Sequence, residues 1–214
     1  MANRCPGQIQ ACAMRISKLD GSGVPNPGAQ NMYVTNSLIT LGYTAEVAVG
    51  DDVEVRNACG EVCLSYKDCD RLKRLNVEIT LCKPDPELME VLVGGTRLVS
   101  GDAVGYAFPQ LNATSCPQGV SIELWARAVN SAGSPDDLFP YNWWVFPRVY
   151  LQHNAATFEN GPFQPQFSGF AIENENWFDG PLNDWPVAST RVAQMIPTDD
   201  IPTPSCGYAA IAAS

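Results

Sequence analysis

Histidine is almost missing from this chain of 214 residues: His153 is the only one. A Ser–His–Asp or Cys–His site would have to use it, yet it sits in "YLQHNAATF" with no nucleophile elbow beside it. A single imidazole also weakens most catalytic zinc schemes. Long apolar runs are missing too. No stretch of about 18 apolar residues occurs, so no transmembrane helix is expected. The opening "MANRCPGQIQACAMRI" lacks the apolar core of a signal peptide, and a protein made in a cytosol is expected. Gly21, Gly23, Gly94 and Gly95 build neither a GxGxxG nor a Walker pattern, so nucleotide binding has no support and no cofactor is expected.

Basic residues are scarce. Thirteen Lys and Arg face 23 Asp and Glu, for a formal net charge of −10. Duplex binding needs clustered cations, and this balance argues against it. It is compatible with DNA sliding past without sticking, because a negative wall repels phosphates. The one positive cluster is Lys67, Arg71, Lys73 and Arg74, interrupted by Asp68 and Asp70. It is expected to pair with an acidic neighbour rather than with DNA. The carboxylate pairs at Asp51/Asp52, Asp136/Asp137 and Asp199/Asp200 sit in turn-like contexts and read as solvated loop charges. Eight cysteines are present without a CxxC knuckle. Free thiols are the default expectation, and no metal site is assigned.

What is present is β patterning. Seventeen Gly and 17 Pro punctuate the chain as short strands and loops would. Residues 44–56, "TAEVAVGDDVEVR", alternate at Val47 and Val49 and again at Val53 and Val55, with a turn or bulge expected at Gly50–Asp52. Residues 57–70 read as a cysteine-bearing loop. Leu75, Val77, Ile79 and Leu81 share one face of a strand, opposite Asn76, Glu78 and Thr80. One helix is expected at about 86–93, with Asp85 as N-cap, Pro86 at its first position and Gly94 as terminator. In a second strong strand at 120–130, Val120, Ile122, Leu124, Ala126 and Ala128 face one way. Ser121, Glu123, Trp125 and Arg127 face the other. Residues 96–109 are strand-like around Gly101-Asp102, and Pro147 marks an edge or bulge in an aromatic strand at 143–152. The class is mainly β: a sandwich or barrel core with one flanking short α-helix, long loops and terminal arms.

The block "YKDCDRLKRLNVEITLCKPDPELMEVLVGG", with "GYAFP" and "SIELWARA" after it, resembles the major tail tube proteins of long-tailed phages, the actinobacteriophage type in particular. The match anchors roughly residues 60–130. It implies a single β-sandwich domain over 1–214, with an N-terminal arm or loop at 1–40 in which Gln8–Leu19 reads as a strand or a clasping arm, a core at 41–172, and an acidic Trp-rich segment and C-terminal arm at 173–214. It further implies hexameric rings stacked into a hollow virion tube. Its partners are copies of the chain and the tape measure, terminator and distal tail proteins; DNA is met only in transit. No enzyme activity is implied.

On this reading the subunit-interface candidates are Trp143, Trp144, Phe146, Trp177, Trp185, Arg71, Lys73 and Arg74. Glu78, Thr80, Glu123 and Arg127 are the candidates for a lumen or for water. The arms at 1–40 and 196–214 are expected to join rings. A ring-forming terminator, a carbohydrate-binding module built on the tryptophans and a carboxylate-pair hydrolase stand as alternatives.

Overall fold

In the computed structural model, residues 7–110, 119–129, 134, 138–154, 160–177, 191–205 and 207–211 are described. The expected mainly β class holds. The described residues form thirteen strands and one helix: β1 (Gly7–Lys18), β2 (Gly28–Thr35), β3 (Leu38–Ala48), β4 (Asp52–Arg56), β5 (Val62–Lys67), β6 (Arg71–Leu81), α1 (Pro86–Val93), β7 (Thr96–Ser100), β8 (Ala103–Ala107), β9 (Val120–Val129), β10 (Tyr141–His153), β11 (Gln166–Ile172), β12 (Gln194–Thr198) and β13 (Tyr208–Ile211). Nine of them form one antiparallel sheet in the order β13-β2-β1-β9-β10-β11-β6-β3, with β12 also on β10. Two hairpins, β4–β5 and β7–β8, lie outside it. The sheet does not close into a barrel. It curls, and β3 returns to within 8 Å of β1 between Cα atoms.

The inner face carries the main core. Leu75, Val77, Ile79 and Leu81 are all buried there, as their alternation predicts. They meet Met14 and Ile16 of β1, Ile122 and Leu124 of β9, Phe146 and Val149 of β10, and Leu88, Val91 and Leu92 of α1. The helix forms as expected. The Asp85 carboxylate accepts from the amides of Glu87 (3.0 Å) and Leu88 (3.2 Å), Pro86 begins the first turn, and Gly94 stops the helix at φ 77°. Its ψ of −156° puts Gly94 in a region that glycine alone populates readily, rather than in the left-handed helical one.

Pro147 marks a bulge and not an edge. β10 is interior, flanked by β9 on one side and by β12 and then β11 on the other. The β12 pairing ends at Val145, the β11 pairing starts at Arg148, and the β9 register shifts between Phe146 and Val149. A residue with no N–H thus falls where the ladder changes partner, so no hydrogen bond is lost. Gly169 of β11 answers a tighter demand: a Cβ there would fall 1.8 Å from the Tyr150 carbonyl oxygen.

Three expectations change. The described part of the N-terminal segment, residues 7–40, is not an arm, because β1 runs between β2 and β9 inside the sheet. The described C-terminal strands do not form a loose arm either. β12 lies on β10 and β13 on β2. There Tyr208 donates to Glu90 (2.6 Å) and Tyr33 donates to Asp85 (2.6 Å), tying the chain end and β2 to α1. Third, the face holding Glu123 is not wet. It carries a second core of Ala13, Leu19, Trp125, Trp143, Val145, Trp177 and Ile196.

Candidate assembly interface

β3 and β6 continue beyond the sheet as a two-stranded ribbon, β4–β5, and the whole hairpin spans residues 38–81. The joint is close: a Cβ on Gly50 would fall 2.2 Å from the Asp68 carbonyl oxygen, and the Asp68 amide donates to Asp51 (2.9 Å). The far turn is made by Asn57. Its side-chain oxygen accepts from the amides of Cys59 and Glu61, both at 2.9 Å, while Gly60 takes φ 88°. The expected loop at 57–70 therefore shrinks, because residues 62–67 form β5.

Every residue of β4 and β5 is exposed. Val53 sits opposite Tyr66 and Val55 opposite Leu64, so these four share one face. Asp52 opposite Lys67 and Glu54 opposite Ser65 make the other face polar. Down the hairpin, Tyr43, Val47, Val49 and Leu72 are also exposed, Val49 at 77%. Isolated two-stranded ribbons are marginal in water. Large contiguous apolar surface on a soluble chain marks a contact site. β3 is also the last strand on its side of the sheet, so its outer edge is open to further pairing.

The basic cluster lies at the base of this hairpin. A bulge opposite Glu46 gives β6 one extra residue, Lys73, between Arg74 and Leu72. Both cations consequently reach one carboxylate, Lys73 at 2.8 Å and Arg74 at 2.6 Å. The hydrogen bonds from Lys73 and Arg74 hold the Glu46 carboxyl at about 2, against an ordinary 4.5. Arg74 also lies over the Phe170 ring at 4.9 Å, while Arg71 is exposed. A depressed carboxyl contributes stability above its unfolded value and loses it as pH falls through the folded value. A Glu46→Gln variant is therefore expected to be slightly less stable than the parent above about pH 4.5. The two should converge toward pH 2, and added salt should shrink the gap, since the group is exposed. Chemical denaturation at pH 7 and pH 2 checks this; equal stability at both would remove the role given to the pair.

The aromatic candidates divide. Trp143, Phe146 and Trp177 are 2%, 1% and 1% exposed, so they pack the protomer's own cores and are not surface contacts. Trp143 stacks on Trp125 with centroids 5.8 Å apart. Trp144 is half-buried. Its indole donates to Gln8 (2.8 Å), and its ring lies 6.1 Å from Tyr43, which brings it beside the exposed hairpin. Trp185 lies outside the described residues. Glu78 and Arg127 are exposed and Thr80 is half-buried.

Glu123 is fully buried, contrary to the expectation of a lumen-facing carboxylate. Arg15 of β1 donates to it twice, at 2.8 and 2.5 Å, and the Trp143 indole donates at 3.1 Å. Arg15 also lies 5.1 Å from the Trp125 centroid. The chain after β11, through Trp177, covers the face that alternation alone assigns to water.

His153 ends β10 among rings, 4.7 Å from Phe108 and 4.9 Å from Phe167, with its Nε2 3.3 Å from the Tyr106 hydroxyl. Burial lowers its pKa, and burial likewise raises Tyr106 to about 12, with Glu90 adding to the rise. These contacts join the β7–β8 hairpin to the sheet.

The residues that sequence reasoning missed are Val62, Leu64 and Tyr66. Their signal was there, as "VCLSYK" alternates in the same sense as "DVEVR". Neither a protein-family model nor a curated protein matches the sequence.

Proposed function

We propose that this chain is a structural subunit that assembles with copies of itself into stacked rings, forming the hollow tail tube of a long-tailed phage. One observation carries self-assembly: a projecting β-ribbon, bare on both faces, bears Val53, Val55, Leu64 and Tyr66 on one of them and runs into an open sheet edge. Packing such ribbons together removes both the apolar face and the free edge. A head-to-tail contact of this kind closes into a ring when its rotation permits. The resemblance over residues 60–130 supplies the choice of a tube over other assemblies.

The net charge of −10 suits a channel that DNA crosses without being held. Exposed Glu78 and Arg127 remain the lumen candidates. In this reading the protein works in the virion tail beside the tape measure, terminator and distal tail proteins, and it makes and breaks no bonds. The carbohydrate-binding alternative loses two of its four tryptophans, because Trp143 and Trp177 are buried.

Negative-stain electron microscopy and sedimentation velocity, on a concentration series under reductant, test the reading. Hollow tubes or stacked rings of uniform width are expected. Single rings that never stack would favour a terminator-like component. A monomer at every concentration would reject self-assembly.

A further inference from the structure

The described cysteines divide by position. Cys12 on β1 is half-buried, whereas Cys59, Cys63, Cys69 and Cys82 are exposed, and none of the five is in a disulfide. Three of the exposed thiols ride on the projecting ribbon: Cys59 in its turn, Cys63 on β5 and Cys69 at the joint before β6. Cys63 is the extra residue where the ladder shifts register between Val55–Leu64 and Arg56–Val62, so the bulge leaves its exposed thiol without a cross-strand neighbour.

Strand geometry keeps these thiols apart within one chain. A strand advances about 3.3 Å per residue, so the run from Cys63 to the end of β5 covers roughly 13 Å before the joint begins. By the same rise, β6 puts roughly 33 Å between Cys69 and Cys82. A disulfide needs Cα atoms within about 7 Å. Cys63, Cys69 and Cys82 therefore have no partner among one another while the hairpin is intact. A second copy, packed on the same ribbon, does bring a second set of thiols.

We propose that Cys59, Cys63 and Cys69 are oxidative cross-linking sites between copies, locking the assembly covalently after it forms. This rests on the self-assembly reading above. The chemistry is thiol–disulfide exchange with a small-molecule disulfide as oxidant. A ribbon thiolate attacks one sulfur of the oxidant, forming a mixed disulfide and expelling one small thiolate. The thiolate of the neighbouring copy then attacks the protein sulfur and expels the second. Two protein thiols lose two electrons and two protons, and one small disulfide becomes two thiols.

The test assembles the full chain under reductant, removes the reductant and adds oxidised glutathione. Non-reducing electrophoresis and mass spectrometry of unreduced peptides follow. The expected result is a ladder of multimers, collapsed by dithiothreitol, whose linked peptides contain Cys59, Cys63 or Cys69. The Cys59→Ser/Cys63→Ser/Cys69→Ser variant should assemble under reductant like the parent and yield at least about tenfold less ladder. A ladder that survives in that variant, or that disappears only in Cys12→Ser/Cys82→Ser, overturns the proposal. So does an intrachain Cys59–Cys63 bond as the sole product. Sedimentation under reductant separates the two layers: assembly without cross-links sinks this proposal alone, and absence of assembly sinks the reading beneath it.

Discussion

Replacing Glu123 by alanine is expected to destabilise the protomer by about 3–5 kcal/mol, the cost of stranding one partner of a buried ion pair. For a chain of this length that corresponds to a fall in Tm of roughly 6–20 °C. Among the described residues, Arg15 donates to this carboxylate twice and the Trp143 indole once. Removing it takes that carboxylate from a guanidinium that is 2% exposed and takes the acceptor from the indole N–H. Glu78→Ala, on the exposed side of β6, is the matched control and should change stability by no more than about 0.5 kcal/mol.

The double variant Arg15→Met/Glu123→Met separates charge from packing. Apolar replacement of a whole buried pair is often neutral, so most of the loss should return. A residue of about 1–3 kcal/mol should remain for the unsatisfied Trp143 indole. Denaturant unfolding of the four proteins measures all of this. If Glu123→Ala behaved like Glu78→Ala, the second core would not be organised around this pair.

That pair also shows where the sequence was legible and where it was not. Local rules found α1, because Asp85, Pro86 and Gly94 act within a few residues of one another. They found β6 and β9 from period-two alternation, and they found the break at Pro147. They failed wherever a partner distant in sequence reverses a local preference. Glu123 reads as outward because an isolated carboxylate belongs in water. Arg15, 108 residues away, makes burial tolerable. Trp125 was the available clue, since a tryptophan on a supposedly wet face calls for cover.

The segment of β1 was left open between a strand and an arm for the same reason. Its Gln, Cys, Arg and Ser look polar, yet Met14 and Ile16 fill the inner core and Arg15 is neutralised in the outer one. The aromatic run of β10 supplied core residues in place of contact residues, because both faces of that strand are covered. The ribbon failed in the opposite direction. Its apolar alternation is plain, and alternation normally signals a buried face, but on β4–β5 none of the described residues covers it.

That uncovered face gives the second large effect. A Val55→Asp/Leu64→Asp variant is expected to fold like the parent and to lose assembly. Val55 is 47% and Leu64 55% exposed in the protomer, so neither change opens a cavity, and unfolding should shift by about 0.5 kcal/mol or less per site. In the proposed assembly the same two side chains are buried. Full burial of an exposed Val or Leu contributes about 1.5–3 kcal/mol, and about half of each side chain is still exposed here, so their loss weakens every contact by at least about 1.5 kcal/mol. At 1.4 kcal/mol per factor of ten, that is about tenfold or more in the association constant, before any cost of desolvating two carboxylates that face each other across the ribbon. Ser65→Asp carries one added charge on the opposite face and is the control for charge alone. Sedimentation velocity reads assembly, and circular dichroism with thermal melting reads folding. A variant that folds and stays monomeric while Ser65→Asp assembles would place the contact on the Val53–Val55–Leu64–Tyr66 face. Assembly of Val55→Asp/Leu64→Asp at parental concentrations would move the contact elsewhere, and the ribbon would then need another reason to be bare.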